Sequence, residues 1–211
     1  MLQVDGPPAL ETLRRDQLAR RQRIVRAALR ALANGDYEQV KVSEVARDSG
    51  VALGTLYRYF SSKEHLFAAV ILEWQDALRR KLEKQPPAGG TEAERLRDVC
   101  HRTIRAFQLQ PQFYRVLMVL DSTTDSSAAD LYLQLSQQFR ASVQTAFTRP
   151  FDADCEAVLG VINAVLNGAL RSWVMNRATI QDVYSRVDNA IGLIYEYRPR
   201  LGLAGRLHCL S

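Results

Sequence analysis

Apolar residues in this chain of 211 recur three and four positions apart along most of its length, and no stretch of useful size alternates. That period belongs to amphipathic helices and argues against a sheet. Between Asp16 and Asn34 the apolar set is Leu18, Ile24, Ala28 and Leu32, with Val25 and Leu29 beside them. Further helical patterns follow at about 43–49, 53–60, 63–84, 91–109, 111–121, 127–148, 152–176 and 179–197. The expected fold is therefore all-α, with about nine helices. Asn34-Gly35 reads as the first stop, with Gly35 in the left-handed conformation. Ser43 reads as the cap of the second helix, with Glu44 suiting its dipole. Ser61 or Ser62, Thr91, Asp152 and Thr179 read as later caps. The run Pro86-Pro87-Ala88-Gly89-Gly90 is the clearest break, because proline lacks the amide donor and glycine is loose. No repeat of 20–50 residues is present.

Hydrophobic residues make up 47% of the chain and charged residues 24%, ample for a sizeable core. No uncharged apolar run approaches the roughly 18–20 residues that span a bilayer, so no membrane association is expected. The opening MLQVDGPPALETLRR lacks a basic-then-apolar leader pattern. Three widely spaced cysteines, Cys100, Cys155 and Cys209, suit reduced thiols. These features point to the cytoplasm. The net charge is +5, but its distribution says more. Seven arginines (Arg14, Arg15, Arg20, Arg21, Arg23, Arg26, Arg30) lie between positions 14 and 30 against one acid, Asp16. Such a run suits either a solvated helix face or a polyanion contact.

Ser43–Phe60 carries the most information. Two short helices joined at Gly50 make a helix-turn-helix, or else a plain helical hairpin with an exposed aromatic patch. In the first reading Ala46 must be small, because the second helix crosses over it. Val45, Val51, Leu56 and Tyr59 fill the small core. Leu53, Gly54, Thr55, Tyr57 and Arg58 then lie near the outer face, and short side chains let a helix enter a major groove about 12 Å wide. Thr55 can hydrogen-bond a base or touch a thymine methyl. Tyr57, Tyr59 and Lys63 can reach phosphates, Lys63 aided by the helix start behind it, and Arg58 can meet phosphate or guanine.

The string VSEVARDSGVALGTLYRYFSSKEHLFAAV, Val42–Val70, resembles the DNA-binding domain of the TetR family of transcriptional regulators. The family pattern A-x-x-x-G-V, then G-x-[LI]-Y-x-[HY]-F, then S-K-x-x-L is met at Ala46, Gly50, Val51, Gly54, Leu56, Tyr57, Tyr59, Phe60, Ser62, Lys63 and Leu66. Tyr59 stands where the family often has histidine. The resemblance implies three N-terminal helices on DNA and six forming a ligand-binding and dimerisation domain. It further implies a homodimer on a palindromic double-stranded operator, usually as a repressor, that lets go when a small effector binds. The expected division is an arm at 1–15, a DNA-binding domain at 16–62, an effector and dimer domain at 63–200 and a tail at 201–211. The DNA-contact set is Arg14, Arg15, Arg20, Ser43, Leu53, Gly54, Thr55, Tyr57, Arg58, Tyr59 and Lys63, with the arm free to enter a minor groove.

The second domain is less explicit. Ala157, Gly160, Ala164 and Gly168 fall close to one helical stripe, where small side chains admit another helix, a partner's or the chain's own. With Val161, Tyr184, Val187, Ile191 and Ile194 they form the expected dimer face. Effector-lining candidates are Trp74, Phe107, Phe113, Tyr114, Leu117, Met118, Phe139, Asn163, Asn167 and Trp173, which serve equally as ordinary core. An apolar and aromatic lining with two asparagines suits a hydrophobic molecule. The segments RAFQLQP, DSSAAD and SWVMNRATIQDVYSRVD are similar to those of actinobacterial regulators of steroid and cholesterol breakdown, which respond to bulky CoA thioesters.

No cofactor or metal is expected. Cys100-His101 and His208-Cys209 are adjacent pairs, and neighbours on a helix point about 100° apart. An enzyme finds little support, since no G-x-S-x-G, H-E-x-x-H or phosphate-binding glycine loop is present and histidines number three. A helical protein-interaction adaptor would share the bundle but would not need the arginine run. The regulator reading predicts that Lys63→Ala weakens binding to all DNA about uniformly, whereas Thr55→Ala alters sequence preference. A gel-shift series in which both variants match the parent contradicts this docking.

Overall fold

The computed structural model describes residues 7–8 and 10–197. The tail at 201–211, with His208 and Cys209, lies outside them, as do residues 1–6 and 9 of the arm. Nine α-helices are present among the described residues, with no strand: α1 Arg15–Ala33, α2 Val42–Asp48, α3 Leu53–Tyr59, α4 Lys63–Lys84, α5 Glu92–Leu109, α6 Pro111–Leu120, α7 Ser126–Gln144, α8 Ala153–Val174 and α9 Ile180–Gly192. A 3₁₀ turn at Leu10–Thr12 precedes them and a π-helical turn at Leu193–Tyr197 follows.

The helix ends obey local chemistry, with two departures from expectation. Thr179 and Asp182 form a reciprocal capping box, as do Thr91 and Glu94. Asp152 accepts from the Cys155 amide at 2.9 Å, and the Ser62 hydroxyl accepts from the His65 amide at 3.0 Å. Ser43 does not cap α2. The helix starts one residue earlier, Lys41 holds the cap position, and Ser43 is exposed in the first turn. Gly35 is not left-handed either. Asn34 ends α1 instead, turning its Nδ2 back to the Arg30 carbonyl at 2.9 Å.

The described residues divide into two compact units, one up to residue 79 with 110–138, the other 80–109 with those from 139 onward. The division differs from the sequence boundary at 62/63, because α6 and the start of α7 cluster with the first three helices. In the first unit Ile24, Ala28 and Leu32 of α1 are fully buried, as are Phe67, Val70 and Ile71 of α4 and Phe113 and Val116 of α6. Burying each large side chain contributes on the order of 2 kcal/mol. Trp74 stacks on Phe113 with ring centres 4.9 Å apart and donates its Nε1–H to Gln110 Oε1 at 2.7 Å.

In the second unit α9 packs on α5 and α8. Ile162, Leu166 and Leu170 of α8 and Val183, Val187 and Ile191 of α9 are buried. Helix α8 is also the described helix that is long and apolar enough, by length and composition, to cross a bilayer, with mean hydropathy 1.3. Val158, Leu159, Ile162, Leu166 and Leu170 line a face that the chain itself buries, whereas Val161 is exposed.

Candidate nucleic-acid interface

The helix-turn-helix is built as its residues dictate. Val45 and Ala46 of α2 are buried, and the Ala46 carbonyl accepts from the Val51 amide at 3.0 Å across the turn. Gly50 takes φ +71°, where a side chain would be strained. Leu56 and Phe60 are fully buried and Tyr59 nearly so, which fixes the rotation of α3 about its axis. Leu53, Gly54, Tyr57 and Arg58 are consequently exposed, and Thr55 is half-buried at the edge of that face. Tyr59 packs inward, so of the three groups expected to reach phosphates only Tyr57 is well exposed.

Lys63 is spent inside the module. Its Nζ donates to the Tyr37 carbonyl at 2.5 Å and to that of Glu38 at 3.4 Å, and lies 4.3 Å from the centre of the Tyr37 ring. Tyr37 in turn donates its hydroxyl to Glu64 Oε1 at 3.1 Å. Burial lowers the Lys63 pKa from its ordinary value, against the opposing pull of Glu38 and Glu64. Lys63 thus ties the start of α4 to the connection between α1 and α2. Sequence spacing alone cannot reveal such a tie across 26 positions.

The arginine run divides into two roles. Arg14, Arg15, Arg23, Arg26 and Arg30 are exposed. Arg21 is half-buried, with its guanidinium 4.9 Å from the Phe60 ring centre, and burial lowers its pKa despite Glu73. Arg20 borders a cleft of about 500 Å³ lined also by Pro7, Pro8, Leu13, Thr55, Tyr57 and Arg58. The described part of the arm therefore lies beside the outer face of α3, and Leu13 is buried.

A polar knot anchors the far end of α3. The Ser61 hydroxyl donates to Asp125 Oδ2 at 2.7 Å, and the Ser61 amide donates to Nδ1 of buried His65 at 3.2 Å. The other Asp125 oxygen accepts from the Ala128 amide at 2.8 Å and so caps α7. Burial works against the charge of Asp125. Hydrogen bonds from the Ala128 amide and the Ser61 and Ser62 hydroxyls outweigh it and hold the carboxyl below its usual range. Arg115 of α6 pairs with Asp36 at 3.2 Å, a tie between α6 and the connection that follows α1.

The other expected sites fall out unevenly. In the first unit Phe113 and Tyr114 are buried, and Trp74, Leu117 and Met118 are half-buried. Gln75, which sequence reasoning passed over, holds its Oε1 buried with no hydrogen-bond partner among the described residues. In the second unit Phe107 is buried, whereas Phe139, Asn163 and Trp173 are half-buried. Asn167 is exposed and donates to the Asn163 carbonyl and side chain at 2.9 and 2.8 Å. It shares the open face of α8 with Ala157, Gly160, Val161, Ala164 and Gly168 rather than pointing inward. On α9, Val187 and Ile191 are buried against the chain's own α5 and α8, so the surface of α9 comes from other residues. Tyr184 and Ile194 are half-exposed, and Leu193, whose position carries no local signal of an interface, is 62% exposed. No cluster of metal-ligating residues occurs among the described residues.

Comparison with known proteins agrees with this geometry. Residues 24–70 match the model for bacterial regulatory proteins of the tetR family, and residues 89–194 match a tetracyclin repressor-like C-terminal domain. The HTH-type transcriptional repressor KstR of Mycolicibacterium smegmatis is 31% identical over 189 residues, covering 88% of this chain and 92% of that protein. A TetR transcriptional regulator from Rhodococcus sp. RHA1 superposes with a TM-score of 0.74 at 26% identity, covering 85% of this chain and 97% of that one. A FadR regulator of Bacillus subtilis, solved in complex with stearoyl-CoA, shares the fold at a TM-score of 0.59 and 20% identity, covering 82% and 96%.

The environment of His65 sets a pH dependence. Burial pushes its pKa below the ordinary value, Asp125 pulls it back up, and Arg21 lowers it further. The folded protein therefore keeps His65 neutral where the unfolded chain takes up a proton. That contribution to stability is complete above about pH 6.5 and is lost as pH falls toward the lower folded value. The melting temperature is expected to fall from pH 7 to pH 5, and less steeply in His65→Gln. Parallel slopes for the two proteins contradict this assignment.

Proposed function

The chain belongs to the TetR family of bacterial transcription regulators, and from that premise we propose that it is a dimeric, effector-released repressor of a palindromic operator. It acts in the cytoplasm as a DNA-binding regulator and not as an enzyme. The observation that carries the reading is the outward face of α3. Leu53, Gly54, Tyr57 and Arg58 are exposed beside the arginines of α1, while Leu56 and Phe60 hold the helix in place. A short, small-faced helix flanked by cationic side chains fits a major groove, with guanidinium groups on the phosphates. A protein-interaction adaptor has no need of this charge distribution.

Effector release is assigned to apolar side chains of α4 and α6. The Trp74–Phe113 stack gives a hydrophobic surface, and the orphan Gln75 Oε1, next in sequence to Trp74, offers an acceptor to a hydroxyl or amide donor. A steroid-like or long acyl group carried on CoA meets both demands. Similarity to a KstR repressor supports this class, as does a fold on which another regulator holds stearoyl-CoA.

Dimerisation is assigned to the open face of α8 together with the exposed part of the turn at Leu193–Tyr197. Val161, Met175 and Leu193 are large apolar residues left exposed there, with Gly160, Ala164 and Gly168 providing room for close approach.

Two measurements test the proposal. In the first, the protein selects a duplex from a random pool. A two-fold symmetric site is expected, with affinity falling steeply as salt rises. Failure to enrich any duplex contradicts the regulator reading. In the second, Ala164→Arg is sedimented beside the parent. At least a tenfold weaker dimer is expected, and an unchanged dimer removes α8 from the interface.

A further inference from the structure

Gly54 stands inside α3, where glycine lowers helix stability relative to alanine. Nothing in the free protein requires it. Its φ lies outside the left-handed region, and a Cβ built there meets no atom within 4 Å. Gly50, by contrast, is explained by its own backbone conformation. The space above Gly54 is open, and it lies on the exposed face with Leu53, Tyr57 and Arg58.

Leu53 raises a related question. It is a leucine 42% exposed at the start of a helix whose other leucine, Leu56, is fully buried. It has no polar atom with which to hydrogen-bond a base or a phosphate. In the major groove the apolar group offered by base edges is the thymine 5-methyl. Thr55, the obvious polar reader, is half-buried and less well placed than Leu53.

We propose that Leu53 and Gly54 set the sequence preference of this interface: the gap at Gly54 admits a base-pair edge against the helix backbone, and Leu53 covers the 5-methyl group of a thymine. The preferred half-site therefore contains a thymine whose methyl, not only its hydrogen-bonding pattern, is read. This rests on the regulator reading above and specifies its DNA.

The test begins with the duplex selected by the parent protein. Each thymine of one half-site is replaced in turn by deoxyuridine, which removes only the methyl. At one position affinity for the full-length parent is expected to fall about fourfold, the value of one buried methyl. Leu53→Ala is expected to bind more weakly than the parent and to lose nothing further at that same position, the signature of direct coupling. Gly54→Ala is expected to melt about 2 °C higher than the parent, from its better helix propensity, while its affinity for the selected duplex falls more than tenfold. The uracil scan uses the parent protein, so it stands whether or not the variants fold well. Equal affinity for every uracil duplex overturns the thymine assignment, and Gly54→Ala binding like the parent overturns the close approach. A parent that selects no duplex refutes the regulator reading itself, a result distinguishable from either.

Discussion

The burial of Leu56 and Phe60 decides what the rest of the molecule can do. Helix α3 has seven residues and little stability of its own, so tertiary packing must set its orientation. Two fully buried side chains, worth on the order of 2 kcal/mol each, hold it at one rotation. Turned by 100°, one residue's step, the helix would bury Tyr57 or Thr55 in place of Leu56 and present apolar core to water. The positively turned Gly50 and the bond from the Val51 amide to the Ala46 carbonyl set the approach to that helix. The small outer face follows from these constraints.

A second layer of contacts ties the reading helix to elements far along the chain. Asp125 serves two partners at once, the N-terminus of α7 and the Ser61 hydroxyl just past α3. Lys63 binds carbonyls in the connection between α1 and α2, and Arg115 reaches Asp36 there. Each tie is polar and directional. The module is thereby fixed in position as well as in rotation, and a shift in α6 or α7 has hydrogen-bonded routes to the end of α3.

Much of this was legible in the sequence, because helices write their period and their punctuation locally. The nine helices, the caps at Ser62, Thr91, Asp152 and Thr179, and the exposed set on α3 all rest on neighbours within a turn or two. Local pattern runs out where distant partners decide. Lys63 was expected on phosphate, but carbonyls 25 and 26 positions away hold it. Val187 and Ile191 share the helical period of an interface residue, yet that period cannot say which neighbour fills the contact, and the chain's own α5 and α8 do. The apolar flanks of Asn167 suggest a pocket residue, whereas its position on α8 turns it outward beside Gly160 and Ala164. Gln75 left no local signal, since an unsatisfied buried oxygen is visible only once the fold around it exists.

Amide hydrogen exchange on the full-length chain, with and without its selected duplex, tests the central claim most directly. Slowed exchange on DNA binding is expected in the first half of α1 and across residues 53–60. If those segments exchange identically in both states while binding is saturated, α3 is not the reading helix and the account fails.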